Sequence, residues 1–187
     1  MSDVLSCASP TEWEAWLAAH WQRPTGVWLK IAKKGSPVIS VTVSEALDVA
    51  LCYGWIDGTR RRLDEQFFLQ WYCPRRPRSA WSKVNVARVE ALVAAGRMRP
   101  PGLAQVEAAK ADGRWAAAYE SQRNATAPPD LMAALDRDDQ AQAAFELLGR
   151  SERYAVVLPL LKARTPQQRA ERLRAALARL RAGRPAP

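Results

Sequence analysis

The chain has 187 residues, of which 48% are hydrophobic, 25% charged and 8% aromatic, and its formal net charge is +9. This composition is typical of a globular protein and excludes a disordered chain, a collagen and a coiled coil. A single histidine and three cysteines without a CxxC pair leave few side chains for metal ligation or acid–base chemistry. We therefore expect neither a metal nor a cofactor.

Positive charge is concentrated in two segments of the chain. Residues 59–99 contain 10 Lys and Arg against 3 Asp and Glu, and residues 162–187 contain 8 against 1. Each segment therefore has a net charge of +7. Such segments attract phosphates, nucleic acid or anionic lipid, and they are equally typical of a solvated basic surface.

The first twenty residues lack the pattern of a secretory signal, because Asp3, Pro10, Glu12 and Glu14 interrupt them. No apolar run reaches the roughly 18 residues of a membrane span. Three widely spaced cysteines are an odd number and favour a reducing compartment. We expect a cytoplasmic protein without a transmembrane segment, and the sequence leaves the oligomeric state open.

The first predicted element is a helix with three indoles. Ser9-Pro10-Thr11-Glu12 forms a capping box with proline at the first helical position, so a helix should run to about His20. Helical spacing puts four large apolar side chains on one face, where they are expected to form core: Trp13, Trp16, Leu17 and Trp21.

Extended segments and a second helix follow. Val27, Leu29 and Ile31 alternate with Trp28, Lys30 and Ala32, which is the period-two pattern of a half-buried strand, and residues 38–43 form a weaker extended segment. Ser44 is expected to cap a short helix over residues 45–53, which ends at Gly54.

A hairpin is predicted next. Trp55–Leu63 and Gln66–Tyr72 are expected to pair as antiparallel strands, because only a short turn at Asp64-Glu65 joins them. Neighbouring arginines should pair with Asp57 and Asp64 and lower the pKa of both carboxyl groups. The segment 74–79, in which two prolines bracket three arginines, predicts an exposed basic loop that is preorganised to clamp an anion.

The remaining signals are helical. Helices are expected at about 81–95, 103–111, 130–135, 138–148, 151–163 and 166–182, with Gly and Pro between them. The predicted fold class is α+β: a small antiparallel sheet of three to five strands covered by helices over residues 1–124, followed by an all-helical module over residues 125–187.

Seven residues around the hairpin and the following helix form a candidate binding site. Two guanidinium groups, two indoles and neutral hydrogen-bonding groups suit a carboxylate or phosphate attached to a planar or apolar group. In the alternative interpretation the tryptophans are core and Arg75 pairs with Asp57. No catalytic template is present, so no catalytic residue is assigned. The candidate residues are Trp55, Asp57, Arg75, Arg76, Trp81, Ser82 and Asn85.

Spaced motifs cover most of residues 10–120: ALCYGWIDG at 50–58, PRR at 74–76, SAWSKVN at 79–85, GRM at 96–98 and DGRW at 112–115. These motifs resemble those of the bacterial YdeI/OmpD-associated family. Residues 130–183 are similar to the C-terminal helical module of that family, which is named for bacteriocin protection, except at Pro159-Leu160 and Gln167-Gln168. The resemblance implies a stress role in resistance to antimicrobial peptides and an association with an outer-membrane porin.

Three function classes follow. The first is a non-enzymatic protection protein that binds an anionic small molecule or a protein partner through the Arg and Trp side chains. The second is a nucleic-acid-binding protein that uses the two basic segments. The third is an enzyme on a small anionic substrate that uses Asp57 and Arg75.

Overall fold

A computed structural model describes residues 3–183 of the chain. It divides into two compact units, of which the first comprises the residues up to Ser79 with Asn85–Ala117, and the second comprises Ala80–Val84 with the residues from Ala118 onward. The predicted α+β class with a helical C-terminal part is confirmed, and the boundary at residue 124 stays a prediction. In chain order the elements are β1 (Val4–Ser6), α1 (Pro10–His20), β2 (Val27–Ala32), α2 (Val43–Cys52), β3 (Trp55–Arg62), β4 (Phe67–Pro74), α3 (Lys83–Ala94), α4 (Pro100–Ala111), α5 (Pro129–Leu135), α6 (Asp139–Leu147), α7 (Arg150–Leu161) and α8 (Pro166–Arg181).

The first unit is built on a four-stranded sheet in the order β1-β2-β4-β3. The β3–β4 hairpin is antiparallel as predicted, and β2 also pairs antiparallel with β4. The unpredicted strand β1 pairs parallel with β2, so the sheet is mixed rather than wholly antiparallel. A strand of three residues is too short to show a period-two pattern in the sequence.

One face of this sheet, the inner face, packs against the helices of the same unit. Val27 and Leu29 on β2 and Tyr72 on β4 are fully buried there. The Trp13 ring of α1 lies 5.5 Å from the Tyr72 ring, and its indole N–H donates to the carbonyl of Ala46 on α2 at 3.1 Å. Trp13 therefore joins two helices to the sheet.

Of the other large apolar side chains predicted on this helix face, Trp16 and Trp21 are less buried than predicted. Leu17 is buried, Trp16 is half-buried, and Trp21 is 37% exposed. Trp21 is the C-cap residue of α1, directly after the last helical residue.

Three predicted elements or element boundaries of the first unit differ from the structure. Residues 38–42 form a loop rather than a strand, in which the hydroxyl of Ser40 accepts from the backbone N–H of Ala32 at 2.9 Å. The cap of α2 is Thr42 rather than Ser44, because its hydroxyl accepts from the Glu45 backbone N–H while the Glu45 carboxylate accepts from that of Thr42. Helix α4 also begins earlier than predicted, at Pro100, since proline is tolerated in a first turn.

The second unit contains the four predicted C-terminal helices around a core of its own. The Arg169 guanidinium of α8 donates two hydrogen bonds of 2.7 Å to the Asp130 carboxylate of α5. These bonds lower the pKa of Asp130. Within residues 3–183, none of the helices has both the length and the apolar character that crossing a bilayer requires. The core residues are Leu131, Leu135, Ala141, Phe145, Val157, Leu160 and Leu180.

Candidate ligand-binding groove

The second face of the sheet, the outer face, carries aromatic and basic side chains. Trp28 and Trp71 lie opposite each other on β2 and β4, and their ring centroids are 5.0 Å apart. The Arg61 guanidinium of β3 lies 4.2 Å from the centroid of the Trp28 ring, and the Lys30 ammonium lies 3.9 Å from that of the Phe67 ring. Cations therefore lie against the aromatic rings of this face.

A groove of about 630 Å³ opens at the Cys73 end of the outer face. Trp71 is its largest lining side chain, and Arg23 and Arg76 contribute two positive charges. We call it the Trp71 groove. Its lining residues are Asp3, Arg23, Pro24, Thr25, Gly26, Trp71, Cys73, Pro74 and Arg76.

Glycines on both sides of β4 allow the Trp71 indole to lie close to the sheet backbone. A Cβ added to Gly26, just before β2, would come within 2.5 Å of the indole, and one added to Gly58 on β3 would come within 2.9 Å. Strand β3 also bulges between Asp57 and Arg60, opposite Trp71. The indole is half-buried, so part of its ring faces the groove.

Two arginines, a carboxylate and a thiol set the electrostatics of the Trp71 groove. The Arg23 guanidinium donates to the Asp3 carboxylate at 2.9 Å, whereas Arg76 is exposed. The pKa of the Cys73 thiol is raised, chiefly by burial, so the thiol is neutral at pH 7. The groove therefore has a net positive charge. Within residues 3–183, no group of three or more His, Cys, Asp and Glu side chains is placed to hold a metal ion.

Three of the predicted site residues lie around Pro74 and are divided between two clefts. Arg76 lines the Trp71 groove, whereas Trp55 and Arg75 line a second cleft of about 570 Å³ on the same unit. Trp55 is 1% exposed and its indole N–H donates to the Trp21 carbonyl at 2.9 Å. Arg75 is 6% exposed, so the predicted exposed loop is wrong for Arg75, although Arg76 and Arg78 are exposed.

The residues predicted from the SAWSKVN motif are divided between the two units. Trp81 and Ser82 belong to the second unit, and Asn85 belongs to the first. Trp81 is 2% exposed, and its carbonyl accepts from the Tyr119 backbone N–H at 3.0 Å. Ser82 forms an isolated parallel bridge with Tyr119. The seven residues as one site stay a prediction.

Asp57 lies on the inner face, in register with Tyr72, and its pKa is raised rather than lowered. Burial is the largest cause, and it outweighs a backbone hydrogen bond and the positive charges of Arg60, Arg75 and Arg88. The prediction of a lowered pKa is therefore wrong for Asp57. The enzyme hypothesis based on Asp57 and Arg75 stays a hypothesis.

We expect Asp57→Asn to increase the free energy of unfolding at pH 7. A folded-state pKa above the usual value of 3.8 means that the folded chain holds this proton to higher pH than the unfolded chain. The free energy of unfolding therefore falls as the pH rises from the unfolded-state pKa to the folded-state pKa of Asp57. Asparagine carries no titrating proton, so the variant does not lose this stability. Urea unfolding at pH 3 and pH 7 measures the effect, which should disappear at pH 3. A variant that is less stable at pH 7 would contradict the assignment.

The sequence prediction missed Trp71 and Arg23. Period-two alternation along β4 puts Phe67, Leu69 and Trp71 on one face, so the strand pattern contained a signal for Trp71. Nothing in the alternation shows which face the helices cover. For Arg23, which precedes β2, we find no local signal.

The fold and the groove define the class: an α+β unit on a mixed four-stranded sheet with a cationic, aromatic groove, in a chain that also contains an all-helical unit. Residues 5–105 match the family described as Domain of unknown function (DUF8412), and the chain belongs to that family. Residues 124–183 match the family described as Bacteriocin-protection, YdeI or OmpD-Associated, which confirms the resemblance for this region. Comparisons with curated proteins and with solved structures gave no significant match.

Proposed function

We propose that the first unit binds an anionic ligand with a planar group in the Trp71 groove, without catalysing a reaction. The observation that carries this proposal is the Trp71 indole, which is seated between Gly26 and Gly58 in a groove that Arg23 and Arg76 also line. An indole face binds a planar group by stacking, and a guanidinium binds a carboxylate or phosphate through paired N–H donors.

The Trp71 groove suits this ligand better than the second cleft. In the second cleft the two candidate binding residues, Trp55 and Arg75, are nearly inaccessible, at 1% and 6% exposure. In the Trp71 groove the indole is half-buried and Arg76 is exposed, so both reach a ligand without rearrangement of the backbone. A preformed site loses less conformational entropy on binding.

A stress or protection role in the cytoplasm is the biological setting that we propose. The family description of residues 124–183 supports protection against bacteriocins. The free thiols of Cys7, Cys52 and Cys73 support a reducing compartment. In this setting the groove would bind a small anion or an anionic group of a partner.

We expect Arg76→Gln to weaken binding of 2-naphthyl phosphate at least tenfold, which corresponds to about 1.4 kcal/mol. The phosphate loses a charged donor while the aromatic contact to Trp71 remains. Arg78→Gln is the matched control, because Arg78 lies in the same loop, is exposed, carries the same charge and does not line the groove. Its effect should stay below about twofold. Isothermal titration calorimetry measures both, with the uncharged 2-naphthalenemethanol as a second probe.

Alkylation of Cys73 locates the bound probe. Cys73 lines the Trp71 groove, whereas Cys7 and Cys52 are buried elsewhere, and burial raises the pKa of Cys52 to about 11. We expect 2-naphthyl phosphate to slow the alkylation of Cys73 by iodoacetamide, as followed by peptide mass spectrometry. Equal losses of affinity in the Arg76 and Arg78 variants, or an unprotected Cys73, would show that the groove is not the binding site.

A further inference from the structure

We propose that the whole outer face of the sheet binds single-stranded nucleic acid. This inference rests on the proposed function and names its ligand: the planar group is a base and the anion is the phosphate backbone. A base stacks on Trp71 while a neighbouring phosphate contacts Arg76, and the strand continues over Arg61, which covers the buried Trp28 ring, toward Lys30.

The cations beyond the Trp71 groove are held on this face by aromatic rings. Arg61 and Lys30 lie 4.2 Å and 3.9 Å from the centroids of the Trp28 and Phe67 rings, so these rings orient both groups over the sheet. Arg61 is exposed and Lys30 is partly exposed. A guanidinium stacked on an indole presents a second flat surface on which a base can stack.

The dimensions of the outer face fit a short single strand. From Phe67 to Cys73, β4 extends about 20 Å at ~3.3 Å per residue. This length suits the lower end of the ~4–16 nucleotides covered by one single-strand-binding module. A duplex offers no free base faces along its length, so a half-exposed indole beside cations favours a single strand over a duplex.

Charge around the hairpin agrees with this ligand. The outer face lies partly in the segment 59–99, with its net charge of +7. Only part of this charge belongs to the proposed surface, because side chains alternate along β3. Arg61 is in register with Leu69 of the outer face, whereas Arg62 is in register with Phe68 of the opposite face. Two adjacent exposed arginines thus lie on opposite faces of one strand.

This pair provides the test. We expect Arg61→Gln to weaken binding of fluorescein-labelled dT12 and rU12 about five- to tenfold, and Arg62→Gln to weaken it less than twofold, as measured by fluorescence anisotropy. For the unmodified chain, three phosphate contacts give a slope of about −2 when the logarithm of the binding constant is plotted against the logarithm of the salt concentration. The loss of one contact makes this slope shallower by about 0.7. The matching dT12·dA12 duplex should bind more weakly than either single strand.

The outcomes separate this inference from the proposed function. Equal effects of Arg61→Gln and Arg62→Gln would overturn the outer-face surface, since a general positive field does not distinguish the two faces. The outer-face surface is also overturned if dT12 binds no more tightly than dTMP while Arg76→Gln still weakens the binding of 2-naphthyl phosphate. In that case the proposed binding in the Trp71 groove is retained. Absence of binding by all probes overturns both. Circular dichroism tests whether each variant folds, and Lys30→Gln replaces Arg61→Gln if that variant does not.

Discussion

Replacing Trp13 by alanine is expected to lower the free energy of unfolding of the first unit by about 3–5 kcal/mol. The Trp13 side chain is fully buried, and its ring lies 5.3 Å from Trp16, 5.5 Å from Tyr72 and 6.5 Å from Trp55. Its indole N–H also donates to the Ala46 carbonyl, so the substitution removes the contact between α1, α2 and the sheet together. Such a loss is a large part of the ~5–15 kcal/mol of a typical domain.

Urea unfolding followed by circular dichroism measures this loss. Trp16→Ala is the matched control, because it removes the same side chain from the same helix at a half-buried position. We expect it to cost clearly less, about 1–2 kcal/mol. Equal costs at both positions would show that the core is not centred on Trp13.

Gly102→Ala is expected to destabilise the first unit by about 3 kcal/mol or more, although alanine is the better residue in an exposed helix by about 1 kcal/mol. A Cβ at position 102 would lie 2.2 Å from the Cys52 carbonyl oxygen and 2.7 Å from the Leu51 carbonyl oxygen. These are backbone atoms at the end of α2, so relief requires α4 to move away from α2. The overlap therefore cannot be relieved by moving a side chain, and the two helices have to move apart.

Gly96→Ala is the control for Gly102→Ala. Gly96 has φ +66 and no atom within 4 Å of an added Cβ, so its cost is backbone strain alone, about 1–2 kcal/mol. Thermal unfolding measures the stability of both variants, and so compares the cost of steric overlap at position 102 with the cost of backbone strain at position 96. A Gly102→Ala variant as stable as the unmodified chain would contradict the close approach of α4 to α2.

The difference between Trp55 and Trp71 shows how far the sequence predicts the site. Both residues lie on predicted strands, and the WIDG motif directed the prediction to Trp55, which is 1% exposed. Trp71 lies on the outer face instead, next to Gly26 and Gly58. Alternation assigns residues to two faces of a strand, but the packing of distant helices decides which face remains open.

Arg75 and Arg76 show the same limit at the end of β4. They are adjacent in the sequence and chemically identical, yet Arg75 is 6% exposed and Arg76 is exposed. Arg75 lines the second cleft together with Trp21 and with Pro100 and Pro101 of α4, which are distant from it in the sequence. A local sequence motif contains no information about which distant residues surround each of the two arginines.

By itself the sequence determined the elements whose signals act within one helical turn. The N-cap at Ser9 and the short turn at Asp64 placed α1 and the β3–β4 hairpin, because their hydrogen bonds join residues two or three positions apart. Only the tertiary structure decided the parallel pairing of β1 with β2, the partial exposure of Trp71 on the outer face and the position of its indole over two glycines. Each of these depends on segments that are distant in the chain, and their pairing is selected by the burial of the whole core rather than by any local pattern.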